Sequence, residues 1–156
     1  HPINPYGLSK MHCEQWIYQF VNKDFKAVIM RFGNVYGPNG KGVINQFIER
    51  LKLNQSLTIY GDGMQVRDYI YVDDIVNSIK AGIDFGCENT SFDCWQLGTG
   101  NGNNIFKILE ILSDLSTNNI KINFEPAKDE IKNSVLKYRP HIPLSEGIKK
   151  LWQAMK

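Results

Sequence analysis

Apolar residues recur at helical spacing from Tyr6 to about Asn22, with Leu8, Met11, Cys13, Trp16, Ile17, Phe20 and Val21 in register. Asn4 is a candidate cap for this helix, and Pro5 suits its first turn, where a missing N–H costs nothing. Lys26–Phe32, KAVIMRF, is a short and nearly continuous apolar run, as expected of a strand buried on both faces. It leads into GNVYGPNGKG, whose glycines and proline predict a loop. Val43 to about Asn54 reads as a helix with Ile44, Phe47, Ile48 and Leu51 on one face. A strand is predicted at 57–60, a turn at 61–63 and an extended stretch over RDYIYVDD. Asp73 or Asp74 can cap a helix that runs to Ala81 or Gly82. Further along come a strand at 92–98, a helix over Ile105–Leu115, a strand at 120–124 and a C-terminal helix in SEGIKKLWQAMK.

Helix, buried strand and glycine-rich loop in this order predict an α/β fold with a parallel sheet, whose ligands gather at the carboxyl ends of strands. Only 26–32 and 92–98 have the character of central strands, and two alone would leave open edges and half-covered helices. The strands at 57–60 and 120–124, with 69–71, fit a small accessory unit. This pattern predicts further strands before His1, so the chain reads as the C-terminal part of something larger.

Composition narrows the function. The 156 residues are 42% hydrophobic and 22% charged, which suits a globular chain and argues against disorder. Eighteen Lys and Arg against 16 Asp and Glu leave a charge of +2, too balanced to imply nucleic acid or an anionic membrane as partner. No apolar run approaches the ~18–20 residues of a membrane span, and no signal peptide opens the chain. Cys13, Cys87 and Cys94 show no CxxC spacing and read as reduced core thiols of a cytoplasmic protein. His1, His12 and His141 lack ligand-spaced companions, so no metal site is expected. Trp16, Phe20, Trp95 and Trp152 fit core or helix-packing positions better than a stacking platform.

Tyr6 and Lys10 lie four residues apart on the first predicted helix and so share a face. An ammonium beside a phenol favours the phenolate, and a phenolate is a general base able to take a proton from a sugar or alcohol hydroxyl. Arg67 offers a planar fork suited to a diphosphate, the alternative being a surface pair with Asp62 or Asp68. The amide of Asn34 can donate to phosphate oxygens or simply fix its loop.

PYGLSK (5–10), RFGNVYGP (31–38), GDGMQVRDYIYVDD (61–74) and LGTG (97–100) stand in an order that resembles the extended short-chain dehydrogenase/reductases. Within them the chain is similar to the NAD-dependent epimerase/dehydratase family acting on nucleotide sugars. The resemblance implies the C-terminal part of a Rossmann fold interleaved with a small substrate-binding region. One partial domain would span 1–156, with the N-terminal cofactor-binding half absent. It implies Tyr6 as catalytic base and Lys10 as the residue that tunes it and binds the nicotinamide ribose of NAD. Arg31 and Phe32 would lie on the cofactor side, with a structural role open for Arg31. Asn34 and Arg67 would meet the substrate's diphosphate, and Val43, Ile44 and Phe47 the nucleotide base, with Tyr36 and Gly37 in the same crevice. Where the family usually has a second diphosphate arginine, PAKDEIKNS offers Lys128, which brings charge without the fork. Its third catalytic group, a Ser or Thr, and its glycine-rich cofactor loop would precede His1. Gly61-Asp62-Gly63 and Gly98-Thr99-Gly100 lack the context of a dinucleotide fingerprint.

The implied activity is 4-epimerisation of a UDP-hexose or UDP-N-acetylhexosamine through a keto-sugar, with dehydratase or reductase chemistry of the same family as alternatives. An inactive or nucleotide-binding-only fragment is the non-enzymatic alternative. The implied partners are the nucleotide-diphosphate sugar, the N-terminal half of the same chain and a second copy meeting the Tyr6–Lys10 helix.

Overall fold

A computed structural model describes residue 2 and residues 4–88, 92–127, 133–134 and 142–155. Residues 1–31 with 77–95 form one compact unit, and residues 32–76 with 96–156 form another.

In the first unit, helix α1 (Pro5–Phe20) starts as the sequence predicts. The Asn4 side chain accepts a hydrogen bond from the Gly7 N–H at 2.8 Å, and Pro5 occupies the first turn. Strand β1 (Ala27–Phe32) pairs with β5 (Phe92–Leu97), so the two expected central strands are neighbours. Helix α3 (Val72–Glu88) continues beyond Gly82, where a helix end was expected. The glycine is a contact point rather than a stop: a Cβ there would lie 2.0 Å from Met30 Cε and 3.3 Å from Trp95 Cζ3. Asp73 and Asp74 stand in the first turn of α3, where carboxylates complement the helix dipole.

No residue of α1 is buried. Trp16 and Phe20, expected in packing positions, are 68% and 60% exposed among the described residues. Cys13 is likewise an exposed thiol rather than a core one, whereas Cys94 is partly buried and both are free. The Cys87 side chain lies outside the described residues.

The second unit carries the main core. Helix α2 (Val43–Lys52) contributes Ile44, Phe47, Ile48 and Leu51, the row predicted from spacing. Helices α4 (Ile105–Leu115) and α5 (Leu144–Ala154) add Ile108, Leu112, Ile148 and Leu151, all fully enclosed. Each such side chain stabilises the fold by about 1.5–3 kcal/mol relative to exposure. Strand β3 (Leu57–Tyr60) runs parallel to β7 (Ile122–Glu125). Strand β4 (Val66–Tyr71) is the hub of a second sheet, with β2 (Asn34–Tyr36), β6 (Gly102–Asn103) and β8 (Asn133–Ser134) all paired to it. The segment 34–36, expected as loop, is therefore a strand. Asn34, Val35 and Tyr36 sit in parallel register with Tyr69, Ile70 and Tyr71.

Among the described residues no helix is long and apolar enough to cross a membrane, and no group of three or more His, Cys, Asp or Glu could hold a metal ion.

Tyr36, expected at the crevice, lies in this core at 3% exposure. Its hydroxyl donates to the Leu144 carbonyl at 3.3 Å, and its ring meets Tyr71 edge-on at 5.4 Å. Burial pushes its phenol well above the usual range, with the charges of Tyr71, Asp74 and Glu146 adding to the effect. A phenol raised in the folded state keeps its full contribution below the ordinary value of about 10. That contribution is lost as pH rises beyond it, because only the unfolded chain then releases the proton. Tyr36→Phe is expected to reduce this alkaline loss of stability, measured as urea midpoints at about pH 8 and about pH 11. Parallel losses in variant and parent would place the effect on another group.

Candidate active site

The two sets of candidate residues lie on separate units. On the first, α1 sets Tyr6 and Lys10 one turn apart. Tyr6 is 70% exposed, and the Lys10 ammonium lies over its ring, 5.3 Å from the centroid. A phenol and an ammonium on the same turn and open to solvent can act together on one hydroxyl-bearing ligand.

Arg31, near the end of β1, grips Glu14 of α1. Its Nε donates to one carboxylate oxygen at 2.8 Å and its Nη2 to the other. Hydrogen bonding to Arg31 holds the Glu14 carboxyl below the usual carboxylate range, and the same bond raises the guanidinium further. The arginine expected on the cofactor side thus has a partner within its own unit. Phe32, the last residue of β1, is 46% exposed.

On the second unit, a cleft of about 320 Å³ opens between the start of α2 and strands β3 and β4. Its polar wall consists of Asn34, Lys41, Gln46, Gln65 and Arg67. Its apolar side comes from Val43, Phe47, Ile59, Tyr60, Tyr69 and Ile105. The register explains the convergence. Asn34 on β2 pairs with Tyr69, two residues along β4 from Arg67, so side chains from both strands reach the same space. Gln46 braces the loop before α2 by donating from Nε2 to the Lys41 carbonyl at 2.8 Å. The Arg67 guanidinium donates to the Val66 carbonyl at 3.1 Å.

Four residues expected to touch substrate therefore line one cleft: Asn34, Val43, Phe47 and Arg67. Ile44 does not. It is 1% exposed and faces the core with Ile48 and Leu51, whereas Val43 is only partly buried and Phe47, itself a core residue, also reaches the cleft wall. Lys128 lies outside the described residues. Lys41, Gln46 and Gln65 were not singled out from the sequence. Gln65 lies within the 61–74 motif and Lys41 shortly after the 31–38 motif, and that position was the available signal.

Asp68 fixes the cleft from behind. It is 1% exposed, and its carboxylate accepts from the Thr99 N–H at 2.7 Å, the Thr99 hydroxyl at 2.6 Å and the Gly100 N–H at 3.0 Å. Gly100 has φ of 73°, which favours glycine in this turn. Two cations, side-chain amides and an apolar side lining one cleft suit a ligand that joins a flat heteroaromatic group to an anionic linker.

Comparison with known proteins shows what the chain as a whole is similar to. The "NAD dependent epimerase/dehydratase family" matches residues 1–92. A putative UDP-glucose 4-epimerase of Methanocaldococcus jannaschii is 33% identical over 175 aligned residues, covering 100% of this chain and 55% of the relative. The UDP-glucose 4-epimerase of Thermotoga maritima, solved with UDP-glucose, superposes with a TM-score of 0.87 at 30% identity over 98% of this chain and 53% of its own. The UDP-glucuronic acid 4-epimerase of Bacillus cereus, solved with UDP-glucuronic acid and NAD, gives 0.85 at 26% identity over 98% and 52%. The chain thus spans about half the length of the proteins it matches.

Asp68→Asn keeps the shape but leaves one fewer charged acceptor for three donors. It is expected to lower stability by about 1–3 kcal/mol, and Thr99→Val, which keeps the N–H bonds, by about 1 kcal/mol. Urea denaturation checks both, and an Asp68→Asn protein as stable as its parent would remove Asp68 from this role.

Proposed function

The chain belongs to the NAD-dependent epimerase/dehydratase family, and from that premise we propose that it supplies the catalytic tyrosine and the nucleotide-sugar cleft of a nucleotide-diphosphate-sugar 4-epimerase. The substrate would be a UDP-hexose or UDP-N-acetylhexosamine, and the reaction would pass through a keto-sugar. The observation that carries this reading is the exposed Tyr6 with Lys10 Nζ 5.3 Å from its ring, within the family segment.

The residues present fit one end of NAD. The Tyr6 hydroxyl and Lys10 ammonium, both accessible and one turn apart, can bond to the hydroxyls of the nicotinamide ribose. A pyrophosphate cradle is not found among the described residues. Gly61 and Gly63, with φ of 72° and 71°, turn between two strands, and the 98–100 turn leads into β6 rather than a helix. In this reading the rest of the cofactor site lies in sequence outside residues 1–156. NAD, when bound, supplies the hydride acceptor and donor.

Tyr6, as phenolate, takes the proton of the sugar hydroxyl being oxidised and returns one on reduction, and Lys10 offsets its charge. Arg67 and Lys41 hold the diphosphate oxygens, Asn34 donates its amide to them, and Val43 and Phe47 pack on the base. Lys128 adds charge on the diphosphate. Holding the diphosphate while leaving the sugar free to turn lets hydride return to its other face. The proposal includes a cytoplasmic setting and a homodimer meeting α1, where Trp16 and Phe20 are exposed.

Dehydration or reduction of the keto-sugar is the second reading, favoured by the family's own breadth and, for dehydration, by dTDP-D-glucose 4,6-dehydratases among the chain's relatives. It shares the Tyr6 proton transfer and needs additional acid and base groups. Residues 1–156 alone are expected to bind a nucleotide sugar with little turnover.

In the full-length protein, Tyr6→Phe is expected to cut turnover by about 10²-fold or more, with the Kd for the nucleotide sugar within about two-fold. Large loss of binding instead would make Tyr6 chiefly structural. Arg67→Ala should weaken UDP binding by about ten-fold or more by calorimetry, and Arg67→Lys should restore part of it. Unchanged UDP affinity in Arg67→Ala would remove Arg67 from the diphosphate.

A further inference from the structure

Helix α1 buries none of its own residues, yet its carboxyl-terminal half is anchored at two places within its unit. The Glu14 carboxylate receives Nε and Nη2 of Arg31 on β1, and the Tyr18 ring meets Phe92 of β5 edge-on at 4.9 Å. Tyr6, Lys10, Glu14 and Tyr18 are successive members of one i, i+4 row, each about 6 Å further along the axis. The upper two members are the dyad and the lower two are the anchors. Contacts at two adjacent steps of a row fix both rotation of the helix about its axis and sliding along it.

We propose that the Arg31–Glu14 pair is a positioning device for the reaction, setting with Tyr18–Phe92 the rotation of α1 and so the direction in which Tyr6 and Lys10 project. This rests on the catalytic reading of Tyr6 given above. The bidentate geometry defines an orientation as well as a distance, which a single point charge would not. Both partners are drawn toward their charged forms, so the pair persists at neutral pH. The side chains of Arg31 and Glu14 are 49% and 23% exposed, and a pair so accessible adds little to global stability. Glu14 is also within i, i+4 reach of Lys10, so release of its carboxylate toward that ammonium is the rival account that the double variant separates from positioning.

The test compares Arg31→Gln, Arg31→Lys and the double variant Glu14→Gln/Arg31→Gln in the full-length protein with NAD, reading kcat, KM and melting temperature. Arg31→Gln is expected to lower kcat about ten-fold or more, with KM for the nucleotide sugar within about two-fold and melting little changed. Arg31→Lys should recover part of the loss, and the double variant should stay as low as the single one. Unchanged kcat would overturn the inference, as would a loss of kcat matched by a fall in melting temperature. Full recovery in the double variant would also overturn it, since the neutral pair would then suffice and charge competition at Lys10 would be the cause. If Tyr6→Phe retains turnover, the catalytic reading itself fails. If Tyr6→Phe is inactive while Arg31→Gln matches the parent, only the positioning role fails.

Discussion

The carboxylate of Asp68 lies out of solvent on β4 and takes three donors from Thr99 and Gly100. A charge withdrawn from water costs several kcal/mol unless it is well bonded, so this site is stable only with the 97–100 turn folded against β4. The same strand position governs a second approach. Gly33 donates its N–H to the Leu97 carbonyl at 2.8 Å, and a Cβ at Gly33 would lie 2.9 Å from the Asp68 carbonyl oxygen. Residues 33, 68 and 97–100 thus close around one point, and each needs the others in place.

The cleft inherits its geometry from that point. Neighbouring side chains on a strand point to opposite faces, so with Asp68 turned to the 99–100 turn, Arg67 faces the cleft. Asn34 directly follows Gly33 and enters the same space through the β2–β4 register. Opposite them, Asn45 donates from Nδ2 to the Gly37 carbonyl at 2.7 Å and holds the loop that carries Lys41. A Cβ at Gly37 would sit 2.4 Å from Val72 Cγ1, which explains the absence of a side chain there. Polar groups from three chain segments converge because their backbones, rather than the side chains themselves, are fixed first.

This order of causes also explains what could be read from the sequence. Helices α2, α4 and α5 were legible because Ile48, Leu51, Leu112 and Leu151 mark faces that pack on a core, and packing imposes a period. The segment 34–36 was not, because three residues between glycines carry no period, and their strand exists through pairing with 69–71. The two-residue strands β6 and β8 have the same cause. Gly82 misled because a glycine within a helix looks the same whether it ends the helix or admits Met30. Among the candidate residues, Asn34 and Arg67, which the motifs singled out, line one cleft. Ile44, carried over with its whole segment, faces the core, since a motif spans every face of a helix and only one face can line a cleft.

The two units meet their tasks by different physics. The cleft rests on a buried core, where Ile44, Ile48 and Leu57 are at most 1% exposed and close packing leaves few alternative arrangements. Among the described residues helix α1 buries none of its side chains, and hydrophobic contact, being non-directional, would set its rotation poorly in any case. A bidentate ion pair and an edge-on aromatic contact are directional, and both act on the row that bears Tyr6 and Lys10. For the base proposed at Tyr6, which would meet one proton in one orientation, direction matters more than stability. A reaction tolerant of a few kcal/mol in global stability is intolerant of about an ångström at the reacting atoms. The weak but oriented contacts of α1 are therefore suited to the element they hold.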